Sequence, residues 1–428
     1  KELNEKVRRV LRLTFRTAMN NDRPWGSMVS DAHKTACRKI GEEGIVLLQN
    51  NANLLPINLS KVKRIAVIGE NAIKMMTVGG GSSSLKVKYE VTPLEGLKKR
   101  IGEQAEIIYA RGYVGDPTGE YNGVKTGQNL KDDRSPKELR TEALQVASNA
   151  DIVLFIGGLN KSEYQDCEGT DRKTMDLPYN QNELIMDLLQ VNKKLVVINI
   201  SGTGVAMPWK NHVSTILQAW YLGSETGNAL ASILMGDVNP SGKLPYTYYA
   251  CLNQCGAHKL GEYPGHKGMD VLGNKVYDIP YNEGLFVGYR FIDKNKLKPN
   301  FPFGHGLSYT TFEYGKAKVN SKAIEKSEKL YITIPITNTG NRAGAEVVQL
   351  YIKCLNSSVI RPIKELKGFC KVELQPNETK EISFTITAEE LSFFDEKQHK
   401  WIAEPGKFEA LMASSSADIR SKVCFELK

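Results

Sequence analysis

Between residues 60 and 250 the chain alternates short apolar runs with stretches of helical period. Residues 64–69 (RIAVIG) form a strand-like run, followed by a glycine- and serine-rich stretch, 78–84 (VGGGSSS), and by TPLEGLKKRIG, whose helical period ends at Gly102. A strand over 105–109, a polar Gly-rich surface insertion over 112–135, a helix over 137–147 and a strand over 151–156 come next. A helix is predicted from near Asn180, with Asn180 and Glu183 at capping-box spacing, then strands over 195–200 (LVVINI) and 215–220, and a helix over 225–235 stopped by Gly236. Continuous apolar strands separated by helices predict a mostly parallel sheet covered on both faces, an α/β sandwich. Ligands of such sheets sit beyond the carboxyl ends of the strands.

After residue 240 the pattern changes. Residues 250–316 are rich in Gly, Pro, Tyr and Asn with little period, and read as a connector. From about 317 apolar residues alternate at period two: Leu330, Ile332, Ile334 and Ile336, then Val348, Leu350 and Ile352, then Ile382, Phe384 and Ile386, then Phe408, Ala410 and Met412. Turn sequences at 338–341 (NTGN), 375–378 (QPNE) and 404–407 (EPGK) fall between them, so the last part is predicted to be an all-β sandwich of fibronectin type III-like or immunoglobulin-like kind. The expected divisions are 1–55 as a lead-in, 56–250 as the α/β sandwich, 251–316 as the connector and 317–428 as the β-sandwich.

Composition narrows the classes. With 428 residues, 41% of them apolar and 25% charged, the chain has material for two or three domains. No uninterrupted apolar run reaches about 18 residues, so no membrane span is expected. The opening stretch has Val7, Val10, Leu11, Leu13 and Phe15 at helical spacing among charges, unlike a signal peptide, and reads as the start of a mature or truncated product. A net charge of +9 without a basic cluster among aromatics argues against a nucleic-acid partner. Seven cysteines without CxxC or Cys/His ligand spacing argue against zinc, and whether the neighbouring Cys251 and Cys255 pair stays open.

The loop beyond the 151–156 strand, YQDCEGTDRK (164–173), gathers Asp166, Glu168 and Asp171 with Arg172. A metal site is disfavoured, since the loop has no His and no calcium-loop spacing. A solvated turn and an acid/base catalyst remain, the second needing a carboxyl held still by its neighbours, with Arg172 available to hold one of the three carboxylates. Here 151–185 (DIVLFIGGLNKSEYQDCEGTDRKTMDLPYNQNELI) resembles the second domain of glycoside hydrolase family 3, the β-glucosidase family. The stretches EEGIVLLQNNANLLPI, RIAVIGENA, AWYLGSETGNALASILMGDVNPSGKLPYTY, FPFGHGLSYTTFEY and RPIKELKGFCKVEL resemble that family in the same order along nearly the whole chain.

The resemblance implies a retaining two-carboxylate glycosidase. Glu168, three residues before Asp171-Arg172, matches the family's acid/base position, and Glu163 is the alternative. Asp171 and Arg172 are expected to orient the loop, Asp166 to be a like-charge neighbour or solvated, and Ser82 and Ser83 to line an outer sugar subsite. The family's nucleophile is an Asp in an N-terminal (β/α)8 barrel, which these 428 residues do not include, so the opening helix is expected to be the barrel's last and the chain to be inactive alone. Asp31 lies in the lead-in helix and is rejected as a nucleophile.

Phosphate binding by GGGSSS is disfavoured because no Lys follows at P-loop spacing. Trp209 and Trp220 read as core rather than sugar platforms, and His305 as a hydrogen-bonded structural histidine. The expected function is the C-terminal part of an exo-acting β-glucosidase. Its alternatives are a β-xylosidase or transglycosylase of the same family, or a non-catalytic carbohydrate-binding or scaffolding protein. The expected partners are a β-linked oligosaccharide or glycoside, the barrel domain and a second copy in a homodimer; no cofactor or metal is expected. A periplasmic or secreted location suits this reading.

Overall fold

The computed structural model describes residues 1–428 apart from 78, 79, 83, 116–119, 122, 123 and 126. The apolar runs of the first half become strands of one six-stranded sheet. These are β1 (Val46–Asn50), β2 (Arg64–Ile68), β3 (Glu106–Ala110), β4 (Ile152–Gly158), β5 (Leu195–Ile200) and β6 (Thr215–Gln218), in the order β1-β6-β5-β4-β2-β3. Strands β2 to β6 are mutually parallel, and β1 pairs antiparallel with β6 at the edge. β1 lies inside the 1–55 stretch read as lead-in. Its VLLQN is too short for a period, and only its pairing with β6 reveals it as a strand.

Every residue of β4 and β5 is buried, as strands covered on both faces must be. Helices α1 (Glu2–Arg16) and α2 (Asp31–Gly44) precede the sheet, α3 (Pro93–Ile101), α4 (Pro136–Ser148) and α5 (Gln181–Val191) cross between strands, and α6 (Thr226–Met235) follows β6. On one face Ala143, Leu184 and Leu188 pack on Val153, Phe155 and Val197. On the other, Leu97, Ile101, Leu230 and Ile233 pack on Ile65, Leu154 and Ile156. Gly96 and Gly227 let α3 and α6 touch backbone to backbone: a Cβ on Gly96 would stand 2.1 Å from the Gly227 carbonyl.

The starts of α3 and α4 are capping boxes, Thr92 with Glu95 and Ser135 with Glu138. The box expected at Asn180 does not form. Asn180 is left-handed (φ 55°) after a left-handed Tyr179 (φ 62°), and its side chain caps nothing. Instead Gln181 turns back to β4, accepting from the Gly158 amide and donating to its carbonyl, both at 2.8 Å.

The connector has structure of its own: a short helix α7 (Gly256–Lys259), a hairpin of His266–Met269 with Lys275–Asp278, and α8 (Tyr289–Lys294). Beyond it, two antiparallel layers enclose the period-two residues. Leu330–Asn338 and Thr379–Ile386 lie in one, and Gly344–Cys354, Glu365–Leu374, Gly406–Ser415 and Asp418–Leu427 in the other. Ile332, Ile334, Ile336, Val348, Leu350, Phe384 and Met412 all sit in their shared core. A single helical turn, Ala388–Leu391, interrupts the strands. All seven cysteines, Cys251 and Cys255 among them, are free thiols.

Candidate functional site

The strand order locates the site before any side chain is considered. From β2 the chain steps to β3 on one side, then returns to place β4 on the other side of β2 and continues outward through β5 and β6. The reversal lies between β2 and β4, and open sheets of this kind hold ligands outside the carboxyl ends of the strands at such a reversal. The Gly/Ser loop follows β2, and the acidic loop follows β4.

The two loops are joined by backbone. The Gly80 amide donates to the Lys161 carbonyl at 2.9 Å, and the Glu168 amide donates to the Gly80 carbonyl at 3.0 Å. Glu168 then reaches over, its Oε2 accepting from the Ser82 amide at 2.7 Å. Gly81 is left-handed (φ 102°), and a Cβ there would lie 2.4 Å from the Glu168 Cβ, so only glycine allows this approach. Ser82 therefore meets Glu168 directly. Ser83 lies outside the described residues.

A second contact ties the acidic loop to the segment after β5. Asp166 accepts from the Gly202 amide (2.7 Å), the Thr203 hydroxyl (2.5 Å) and the Tyr221 hydroxyl (2.9 Å). It is an anchor, not the solvated or like-charge neighbour expected of it. Arg172 donates to the Gly204 carbonyl at 2.5 Å and makes no ion pair among the described residues, so it grips backbone rather than one of the loop's carboxylates. Asp171 accepts from the Tyr263 hydroxyl, a partner from the connector. Tyr221, Thr203 and Tyr263 were not singled out in the sequence, because a partner far along the chain leaves no local signal.

Glu168 is exposed, and hydrogen bonds from Ser82 hold its carboxyl below the usual glutamate range. Glu163 is exposed and makes no hydrogen bond or ion pair among the described residues. Lys161, half-buried beside the loop, has its ammonium 5.7 Å from the Tyr221 ring centre, and burial lowers its proton affinity. Burial, with Asp166 adding to it, pushes the Tyr221 hydroxyl far up, so it stays a neutral donor.

The remaining candidates lie elsewhere. Asp31 opens α2, exposed and paired with Lys34 at 2.9 Å. Trp209 is buried and bonded to Asn182, and Trp220 donates to the Gly44 carbonyl. The His305 ring hydrogen-bonds the Leu48 carbonyl at 2.8 Å and stacks on Phe301. No group of three or more His, Cys, Asp or Glu side chains suited to a metal occurs among the described residues, and no helix is long and apolar enough to cross a membrane.

The family model of the glycosyl hydrolase family 3 C-terminal domain matches residues 45–309, and that of the fibronectin type III-like domain matches 346–416. The chain is 47% identical to beta-glucosidase BoGH3A of Bacteroides ovatus over 99% of its own length and 56% of that relative. It is 34% identical to a periplasmic beta-glucosidase of Salmonella typhimurium over 98% of its length and 55% of that protein. The crystal structure of a beta-glucosidase from Kluyveromyces marxianus superposes with a TM-score of 0.84 at 28% identity, covering 98% of this chain and 64% of that one. The chain thus spans about half the length of the curated relatives it matches. With one domain model matching more than half of its residues and a second matching its β-sandwich, the chain belongs to glycosyl hydrolase family 3, whose C-terminal α/β and fibronectin type III-like domains it carries.

Proposed function

We propose that the chain supplies Glu168 as the general acid/base of a retaining, exo-acting β-glucosidase acting on β-linked oligosaccharides. The observation that supports this most is the clamp on Glu168 at the strand-order reversal: a backbone bond to Gly80 and a carboxylate bond from Ser82 fix one exposed carboxyl beyond the carboxyl ends of β2 and β4. Asp166 and Asp171 have acceptors committed to structural donors, and Glu163 has no partner among the described residues.

A retaining glycosidase needs a second carboxyl as nucleophile, about 5 Å from the first. The resemblance assigns that group to a barrel domain whose last helix α1 would be, and in keeping with this no residue of α1 is buried here and Val7, Val10, Leu11 and Phe15 are all exposed. The depressed proton affinity of Glu168 fits a carboxylate still open to water; a sugar and a barrel wall over it remove that water and raise it. The likeness to a periplasmic relative supports a location outside the cytoplasm.

The test uses the barrel-containing parent. Glu168→Ala slows substrates with poor leaving groups by about 10²- to 10⁴-fold and those with good leaving groups far less, because only the former need a proton in the transition state. Glu163→Ala leaves both nearly unchanged. The opposite pattern keeps the loop and reassigns the acid/base to Glu163.

A further inference from the structure

The connector holds a buried charge that nothing in the glycosidase reading uses. Glu262 is 1% exposed, and neither of its buried carboxylate oxygens meets a donor from another residue type among the described residues, while its carboxyl lies within hydrogen-bond reach of that of Glu283. Glu283, on the far side of the 266–278 hairpin, turns its carboxyl to the same point, and its buried Oε2 is also unpartnered. No basic side chain pairs with either among the described residues. His258 packs its ring on Tyr263, and Lys259 lies 5.7 Å from the centre of the Phe291 ring.

A carboxylate removed from water without a donor is strongly destabilising, so the pair must be neutralised. A shared proton joins one oxygen of each residue and leaves the other Glu262 oxygen bare. A cation bound by both oxygens of Glu262 and by Glu283 Oε2 serves all three. We propose that Glu262 and Glu283 form a binding site for a hard divalent cation, Ca²⁺, at the root of the 266–278 hairpin.

The donors are all carboxylate oxygen, one residue offering both of its atoms, which suits calcium's tolerance of bidentate ligands better than magnesium's strict octahedron. Two carboxylates balance the ion's charge, and their oxygens are three of the six to eight that such an ion takes. With two charged ligands the affinity falls near the weak end of protein calcium sites, about 10⁻⁴ to 10⁻³ M. Such an ion closes the base of a hairpin whose tip exposes Met269, Val271 and Leu272. It also fixes the residue next to Tyr263, whose hydroxyl holds Asp171.

The 428-residue chain, stripped with a chelator and dialysed, is titrated calorimetrically with calcium chloride, with magnesium chloride as comparator. One calcium ion per chain is expected, together with a melting temperature that rises with calcium and much less with magnesium. Glu283→Gln, at a half-buried position, is expected to keep the circular dichroism of the wild type and to bind calcium at least about 10-fold more weakly, as loss of a charged ligand requires. Glu262→Gln is the harsher variant, and the wild-type titration decides the matter even if it does not fold. Absence of saturable calcium binding by the wild type, or equal binding by Glu283→Gln, overturns the site. A wild type unresponsive to calcium but stabilised by Glu283→Gln assigns the pair to a shared proton.

Discussion

Asp166 shows how much of the acidic loop's position rests on one carboxylate bound to distant segments. It joins the acidic loop to Gly202, Thr203 and Tyr221 through three hydrogen bonds to one carboxylate, each of a kind that contributes about 1.5–3 kcal/mol. Asp166→Ala leaves the buried Tyr221 hydroxyl without its acceptor, and we expect a loss of about 2–3 kcal/mol, read as a lower urea midpoint with unchanged slope. His305 offers a pH-dependent counterpart. Burial, only partly opposed by its bond to Leu48, lowers its proton affinity below the ordinary 6.5, so the folded chain holds it neutral. The unfolded chain therefore binds more protons as the pH falls through 6.5, and stability present above that value is lost below it. His305→Gln, which keeps an N–H for Leu48, is expected to flatten the stability profile between about pH 7 and pH 5, above the range where the carboxylates titrate. Denaturation midpoints across that range measure it. At this scale the sequence shows which residue types are present but not their partners. The motif singles out Glu168, whereas nothing local to Asp166 points to Gly202, Thr203 and Tyr221, because these donors lie far along the chain.

At the scale of elements, the close crossing of α3 and α6 depends on two glycines that a period-based reading passes over. Gly96→Ala puts a methyl group against the Gly227 carbonyl, and Gly227 in turn has no room beside the Thr92 carbonyl. Since backbone, not a flexible side chain, is the obstacle, the helices must separate, and we expect about 1–3 kcal/mol of destabilisation despite alanine's better helix propensity. A thermal melt of Gly96→Ala beside an exposed control such as Gly102→Ala, which strains its backbone (φ 55°) without a clash, separates packing from conformation. Strands and helices with a long or strict period were legible: the central strands, α3, α4, α6 and the alternating sandwich strands lie close to where the pattern puts them. What escaped were features set by tertiary contact. β1 is a strand because β6 offers it an edge, and Asn180 loses its cap because Gln181 is drawn back to Gly158.

For the whole molecule, the α/β and β-sandwich parts are fastened through the end of the connector and by charges. Lys243 pairs with Glu346 at 2.8 Å where both are largely buried, Lys371 reaches Glu43 at 3.0 Å, and Gln349 donates to the Gly304 carbonyl at 3.1 Å. The loop beyond β4 presents one exposed carboxyl, Glu168, held by the Ser82 amide, which the proposed function makes one of the two carboxyls of a retaining glycosidase. The strand-order reversal that locates this site was within reach of the sequence only as a general rule for parallel sheets. The order itself depends on which strands pair. The most direct test of the central claim is chemical rescue of Glu168→Ala in the barrel-containing parent, with an activated aryl β-glucoside and sodium azide. A small anion in the vacated space attacks the glycosyl intermediate without needing a base, so the account predicts a partly restored rate and a β-glycosyl azide as product. An unchanged rate with no azide adduct from Glu168→Ala, alongside rescue of Glu163→Ala, contradicts it.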